Sequence, residues 1–354
     1  MEKVNIKYLA EELNLSISTV SRALRDSYEI STETKKRVVE LAKKLDYVPN
    51  YHASSLRSKK SNMIAVVIPE VADSFFAQAI NGIESVAQEN GYHVLIYLTH
   101  ESLLQEQALL KDLQSGWVAG VLMSVSSETE QVAHIEELLA KGIPLVFFDR
   151  PCDKIETAKI TTDDWESSYK ATQHLIERGC KKIALLSVSD SLSISTERMA
   201  GYRQALVDYA QPFEPSNNVL CTNCEEQNMQ LIINLLKDED RPDAILATVE
   251  KLTTSVYLAC KKLQLSIPND VKVISFSNLQ SALLLNPSLT TITQPAFEMG
   301  RTAASLIFKS LKNKHFNLKA GSVVIPSTLE IRDSTFTEVT PVISNPLNAP
   351  LAHV

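Results

Sequence analysis

Near the amino terminus, in VNIKYLAEELNLSISTVSRALR, hydrophobic positions recur at helical spacing and predict two short amphipathic helices, Val4 to Leu13 and Ser16 to Leu24, around a polar turn. At about 100° per residue the second helix gathers Val20, Ala23 and Leu24 on one arc and Ile17, Ser18, Ser21, Arg22 and Arg25 on the opposite one. One face packs and the other is free to read a partner. Hydroxyls, a guanidinium fork and a small apolar group match base edges and phosphates in a DNA major groove. Two such helices also occur in ordinary bundles, so spacing alone leaves both readings open. Ser31 then caps a third helix, Thr32 to Leu45, with Val38, Val39, Leu41, Ala42 and Leu45 as its apolar stripe, and Tyr47-Val48-Pro49 ends the module. Three helices close a small core, and the expected domain is an all-α helix-turn-helix unit over residues 1–49.

Beyond residue 62 the pattern changes. Short β-rich runs, MIAVVIPE, YHVLIYLT, VAGVLMSV and PLVFFD, alternate with helical stretches, as parallel βα units do. After Asp163 and Asp164 the alternation restarts with KKIALLSV, NNVLCTN, DAILATV and VKVISFS, which predicts two doubly wound α/β lobes. Ligands of parallel sheets sit outside the carboxyl ends of the strands, so facing lobes define a cleft. Charge divides along the same line. Residues 1–60 carry a net +4 and the remainder −11, giving −7 overall, so a basic head sits on an acidic body. Phosphate interactions are screened within about 10 Å, and local charge therefore decides whether DNA is a partner.

The runs IKYLAEELNLSISTVSRAL, ISTETKKRVVELAKKLDYVPN and SLRSKKSNMIAVVIPE, followed by DSFFAQAINGIESVAQENGY, GIPLVFFDRP, TQHLIERGCKKIALL, ERMAGYRQAL, IPNDVKVISFSN and PSLTTITQPAFEMGRTAASLI, make the chain resemble the LacI family of bacterial transcriptional regulators to about Ser334. The resemblance implies a hinge helix within residues 50–61, with Asn50 as its cap, Arg57 and Leu56 side by side, and Leu56 as a wedge in the minor groove; the other reading of Leu56 is that it packs against the body. Ser54 stands where the family usually has Arg. Tyr28 joins the DNA-facing candidates. The resemblance also implies a type I periplasmic-binding-protein body over 62–334, crossing between lobes near Asp163, Thr293 and Pro326. The first lobe would span about 62–163 and 294–325, and the second about 164–293 and 326–334. The Pro-containing segment 335–354 lacks periodicity and is expected to be a disordered tail.

Candidate effector residues lie at the predicted strand ends. Ser74 and Phe75 follow the first strand, and Asp149-Arg150 follows PLVFF. Asp149 reads either as an acceptor for sugar hydroxyls or as half of an interlobe ion pair with Arg198 or Arg150. The resemblance favours the former and assigns Arg198 to gripping effector. Phe75 and Trp165 offer faces for stacking, although an aromatic at helical spacing also serves a core. Three departures bear on the ligand: Val249-Glu250 replaces a common Asn-Asp, Ser275-Phe276-Ser277 replaces Gly-Phe-Asp, and Asn223 replaces a frequent aromatic.

Cys221-Thr-Asn-Cys224 is the sole Cys-x-x-Cys, too little for a zinc site, and no His spacing suggests a metal; no cofactor is expected. Five cysteines and no secretory signal fit a cytoplasmic protein. No G-x-S-x-G, H-E-x-x-H or glycine-rich phosphate loop occurs, so catalysis is not expected. Apolar runs are strand-length, which excludes a membrane helix. The expected function is that of a repressor working as a homodimer on a near-palindromic operator under a sugar-like effector. The competing class, a solute-binding protein with the same body, has no use for the amino-terminal module.

Overall fold

The computed structural model describes residues 5–24, 26–47, 61–313 and 315–336, which fall into two compact units, residues 1–60 and 61–354. In the first unit, α1 (Ile6–Glu12), α2 (Ile17–Leu24) and α3 (Thr32–Lys44) bury Leu9, Ala10, Val20, Ala23, Val38 and Ala42 together. Each helix starts on a side-chain cap. Asn5 Oδ1 accepts from the Tyr8 N–H at 3.0 Å, Ser16 Oγ from Thr19 N–H at 3.1 Å, and Ser31 Oγ from Thr34 N–H at 3.3 Å. The first helix is thus shorter than its apolar pattern suggested, because Asn5 takes the capping position. Val39 is exposed and does not belong to the α3 stripe, since one residue of helix rotates it about 100° from Val38.

The second unit runs β1 (Met63–Ile68), α4 (Ser74–Glu89), β2 (His93–Leu98), α5 (Leu103–Leu113), β3 (Gly120–Met123), α6 (Ala133–Ala140), β4 (Leu145–Phe148) and β5 (Lys159–Thr162). It continues with α7 (Asp164–Glu177), β6 (Ile183–Ser187), α8 (Ser193–Asp208), β7 (Asn218–Leu220), α9 (Glu225–Leu236), β8 (Ala244–Ala247), α10 (Lys251–Leu263), β9 (Lys272–Phe276) and β10 (Thr290–Thr293). Last come α11 (Ala296–Lys312), β11 (Val323–Ile325) and β12 (Thr328–Glu330). Two six-stranded sheets result, ordered β11-β5-β4-β3-β1-β2 and β12-β10-β9-β8-β6-β7. All pairings are parallel except β10 with β12. The central strands are apolar throughout, as strands covered on both faces must be.

The chain passes from one sheet to the other at Asp163, at Gln294-Pro295 and at Pro326-Ser327. These crossings put both sets of strand carboxyl ends on one cleft. Helices α4 and α11 cover the first sheet with their backbones almost touching, and a Cβ on Gly82 would lie 2.0 Å from the Phe297 carbonyl oxygen. The described chain also continues past Ser334. Thr335, assigned by sequence to the tail, is buried and shares hydrogen bonds with His174 Nε2 (3.0 Å) and Thr290 Oγ1 (2.9 Å). Those partners are remote in sequence, so no local pattern marks the segment.

Candidate functional site

In the first unit, burial of Val20 and Ala23 turns the opposite side of α2 to solvent, so Ile17, Ser18 and Arg22 are exposed there, with Tyr28 almost wholly exposed beyond the helix. Ser21 is half-buried. Ser18 Oγ shares a hydrogen bond with the capping Ser16 Oγ at 2.7 Å, and Arg22 Nη1 pairs with Glu29 Oε2 at 2.9 Å. Arg25, Asn50, Leu56 and Arg57 lie outside the described residues.

In the body, the segments after β1, β4, β6, β8 and β9 converge on a cavity of about 20 Å³ lined by Asp73, Phe75, Phe76, Asp149, Arg150, Arg198, Glu250 and Ser277. A larger cavity of about 500 Å³ shares Asp149 and Ile194 with it and is lined also by Thr162, Trp165, Ser193 and Glu197. The Trp165 indole stacks on Tyr169, with ring centres 5.4 Å apart, and keeps an exposed face. Phe75 is packed edge-on against Phe76 and belongs largely to the core, although its edge lines the small cavity.

Each arginine of the cleft is held by an acid from its own lobe. Arg150 Nη1 donates to Glu101 at 2.9 and 3.1 Å, and, although burial opposes it, that guanidinium holds the Glu101 carboxyl below its ordinary value. Arg198 Nε donates to Asp164 Oδ1 at 2.7 Å, Nη1 donates to the Thr248 carbonyl, and the guanidinium lies over the Phe276 ring. Of the two ion pairs considered for Asp149, the one with Arg198 is not formed among the described residues and the one with Arg150 is, with Nε at 3.6 Å, but within one lobe; Ser124 Oγ adds a 3.4 Å bond. Burial pushes the Asp149 carboxyl up to about 6. Asp73, which caps α4 by accepting from the Phe75 N–H at 2.9 Å, is pushed up to about 7 by burial and then by the charge of Glu250.

Glu250 bridges the cleft. Its Oε1 accepts from the Ser74 N–H at 3.0 Å, and its Oε2 accepts from Ser277 Oγ at 2.8 Å and the Asn278 N–H at 2.9 Å. Asn223 is not brought to the site. It is exposed past the end of edge strand β7, where its Oδ1 accepts from Lys251 Nζ at 3.0 Å. Sequence reasoning missed Asp73, Asp164 and Asn278. Asp73 carried a legible signal, an Asp immediately before an apolar helical run, whereas the other two depend on which strand ends meet.

Burial pushes the Cys221 thiol up to about 11, while Cys224 is exposed; the two are unbonded. Among the described residues no group of three or more His, Cys, Asp or Glu side chains is placed to hold a metal, and no helix is long and apolar enough to cross a membrane.

Residues 61–333 match the family model described as periplasmic binding proteins and sugar binding domain of LacI family, and residues 5–50 match that of bacterial regulatory proteins, lacI family. Catabolite control protein A of Priestia megaterium is 28% identical over 333 residues, covering 94% of this chain and 99% of the relative. The ribose operon repressor of Haemophilus influenzae is 28% identical over 331 residues, covering 94% and 98%. In fold, the chain resembles the lac repressor dimer bound to operator and the anti-inducer ONPF, with TM-score 0.80, 21% identity and coverage of 95% and 100%. The CelR-cellobiose complex follows at TM-score 0.70 and 22% identity, covering 94% and 99%.

Proposed function

The chain belongs to the LacI family of bacterial regulatory proteins, and we propose that it represses transcription as a homodimer on a near-palindromic operator under a small, sugar-like effector held between the lobes. One observation carries the DNA reading: α2 buries Val20 and Ala23 and leaves Ile17, Ser18 and Arg22 exposed together on its other side. A single recognition helix reads only a few base pairs, so a symmetric pair of helices on two half-sites is the natural unit. Arg22 is the expected guanine reader, Ile17 the contact to a thymine methyl, and Ser18 a permissive contact. Ser21, Arg25 and Tyr28 are further candidate DNA contacts, and Asn50, Leu56 and Arg57 are the residues assigned to the minor groove.

The effector reading draws on the cavities between the strand ends. Asp149, Arg150, Arg198, Ser277 and Glu250 supply polar groups, Phe75 an apolar wall and Trp165 a stacking face. Arg198 has its own partners here, so it acts on a ligand through Asp164 and Phe276 or by exchanging them.

Footprinting and binding titration of the full chain on a randomised duplex library test the DNA reading. Two symmetric half-sites protected at one dimer per duplex are expected. A monomer protecting one asymmetric half-site at full affinity would overturn it. Thermal-shift screening against sugars, sugar phosphates and nucleobases tests the effector class, because a ligand that binds the folded state raises its melting temperature.

A further inference from the structure

We propose that Glu250, beside the Gln78–Asn278 pair, ties the two lobes together with the chain's own atoms where an effector's polar groups would otherwise make the connection. The inference rests on the cleft being the effector site, and it assigns that site a mode of regulation: a ligand acts by breaking the Glu250 bridge.

The two carboxylate oxygens divide between the lobes. Glu250 stands in the cap position of α10, just past β8 in the second lobe, and its Oε2 stays there, taking Ser277 Oγ and the Asn278 N–H. Its Oε1 crosses to the first lobe and takes the Ser74 N–H in the first turn of α4. That N–H is one of the helix's orphan donors and sits at the positive end of its dipole, so a carboxylate is well matched to it. Asp73 takes the next donor, at Phe75. The amino end of α4 is consequently capped by two carboxylates, one from each lobe.

A second bond pair fixes the register of the bridge. Gln78 Nε2 donates to the Asn278 carbonyl at 3.1 Å, and Asn278 Nδ2 donates back to Gln78 Oε1 at 3.1 Å. Asn278 is itself held by Gln294 at the second crossing, through bonds of 2.7 and 3.1 Å. Within its own lobe Glu250 therefore attaches to a segment that Gln78 and Gln294 also hold. The cavity left beside it, about 20 Å³, has room for about one water. Small-molecule pockets run to about 300–1,000 Å³, so a sugar enters this part of the cleft only by displacing protein groups. A ligand that does so shifts the lobes only as far as it binds the opened form better than the bridged one.

Side-chain reach makes the idea testable. Asp at this position keeps the charge but is one methylene shorter, so it satisfies its own lobe and not the other. Amide hydrogen exchange at Ser74 and Asn278 is read by NMR on the full-length protein with no added ligand. Both amides should be protected in the wild type. Glu250→Asp should speed exchange at Ser74 at least tenfold while leaving Asn278 protected, and Glu250→Ala should release both. A loss of folding alone would move both amides together in Glu250→Asp and would count against the proposal. So would a wild type in which Ser74 exchanges as fast as in Glu250→Ala while Asn278 is protected, because Glu250 would then not reach across to α4. The measurement involves neither operator nor effector, so its failure is distinguishable from failure of the proposed function.

Discussion

The guanidinium carbon of Arg198 lies 3.8 Å from the centre of the Phe276 ring, inside the buried layer between α8 and β9. This stacking holds the arginine flat while its Nε and Nη2 engage the buried Asp164 carboxylate at 2.7 and 2.6 Å. Truncating one partner of such a pair leaves the other charge buried alone, at a cost of about 3–5 kcal/mol. Arg198→Ala should lose about that much stability in urea denaturation, and Arg198→Ala with Asp164→Asn should lose clearly less. Equal losses would mean that the pair is not what Arg198 contributes.

A pH dependence follows from Asp73 and Asp149, whose carboxyls burial pushes up to about 7 and about 6. Both bind a proton more tightly in the folded state than in the unfolded chain, so the stability they give is full below about pH 4 and is lost as pH rises through 6 to 7. Asparagine keeps the cap at position 73 and tolerates the positive φ of 62° at position 149. The double variant Asp73→Asn, Asp149→Asn should therefore gain stability relative to the wild type between pH 5 and 8. A difference that stays constant across that range would refute the assignment.

Close helix packing gives a steric prediction. A Cβ on Gly201 of α8 would lie 2.0 Å from the Trp165 carbonyl oxygen of α7, a backbone atom that cannot swing aside. Gly201→Ala should force the helices apart and cost about 1–3 kcal/mol or more. Thermal denaturation reads it, and an unchanged melting temperature would show that the two helices separate freely.

Arg22 is paired with Glu29 across a surface where both side chains are about half exposed. Such a pair is worth about 0–1 kcal/mol, so it yields readily to a guanine. Glu29→Gln should tighten operator binding modestly, whereas Arg22→Ala should cost about 1–3 kcal/mol of discrimination at one base pair per half-site. Binding measured on single-substitution duplexes separates these outcomes. A uniform loss over all sequences would make Arg22 a phosphate contact.

What local pattern determines, the sequence determined. Helical spacing fixed which face of α2 packs, because burying Val20 leaves Ile17 and Arg22 no direction but outward. Alternating apolar runs and their restart after Asp164 gave the two sheets, since strands covered on both faces must be apolar. The positions of Asp149 and Arg150 after β4 were legible for the same reason, whereas Arg198, within α8, was marked only by the family resemblance. Partner choice was not. Glu250 meets Ser74 from 176 residues away, and Arg198 chooses Asp164 over Asp149. Asn223 falls away from the cleft because β7 is an edge strand. These outcomes depend on how two separately formed sheets face each other across three crossings, and side-chain partners chosen over that distance leave no periodic trace along the chain.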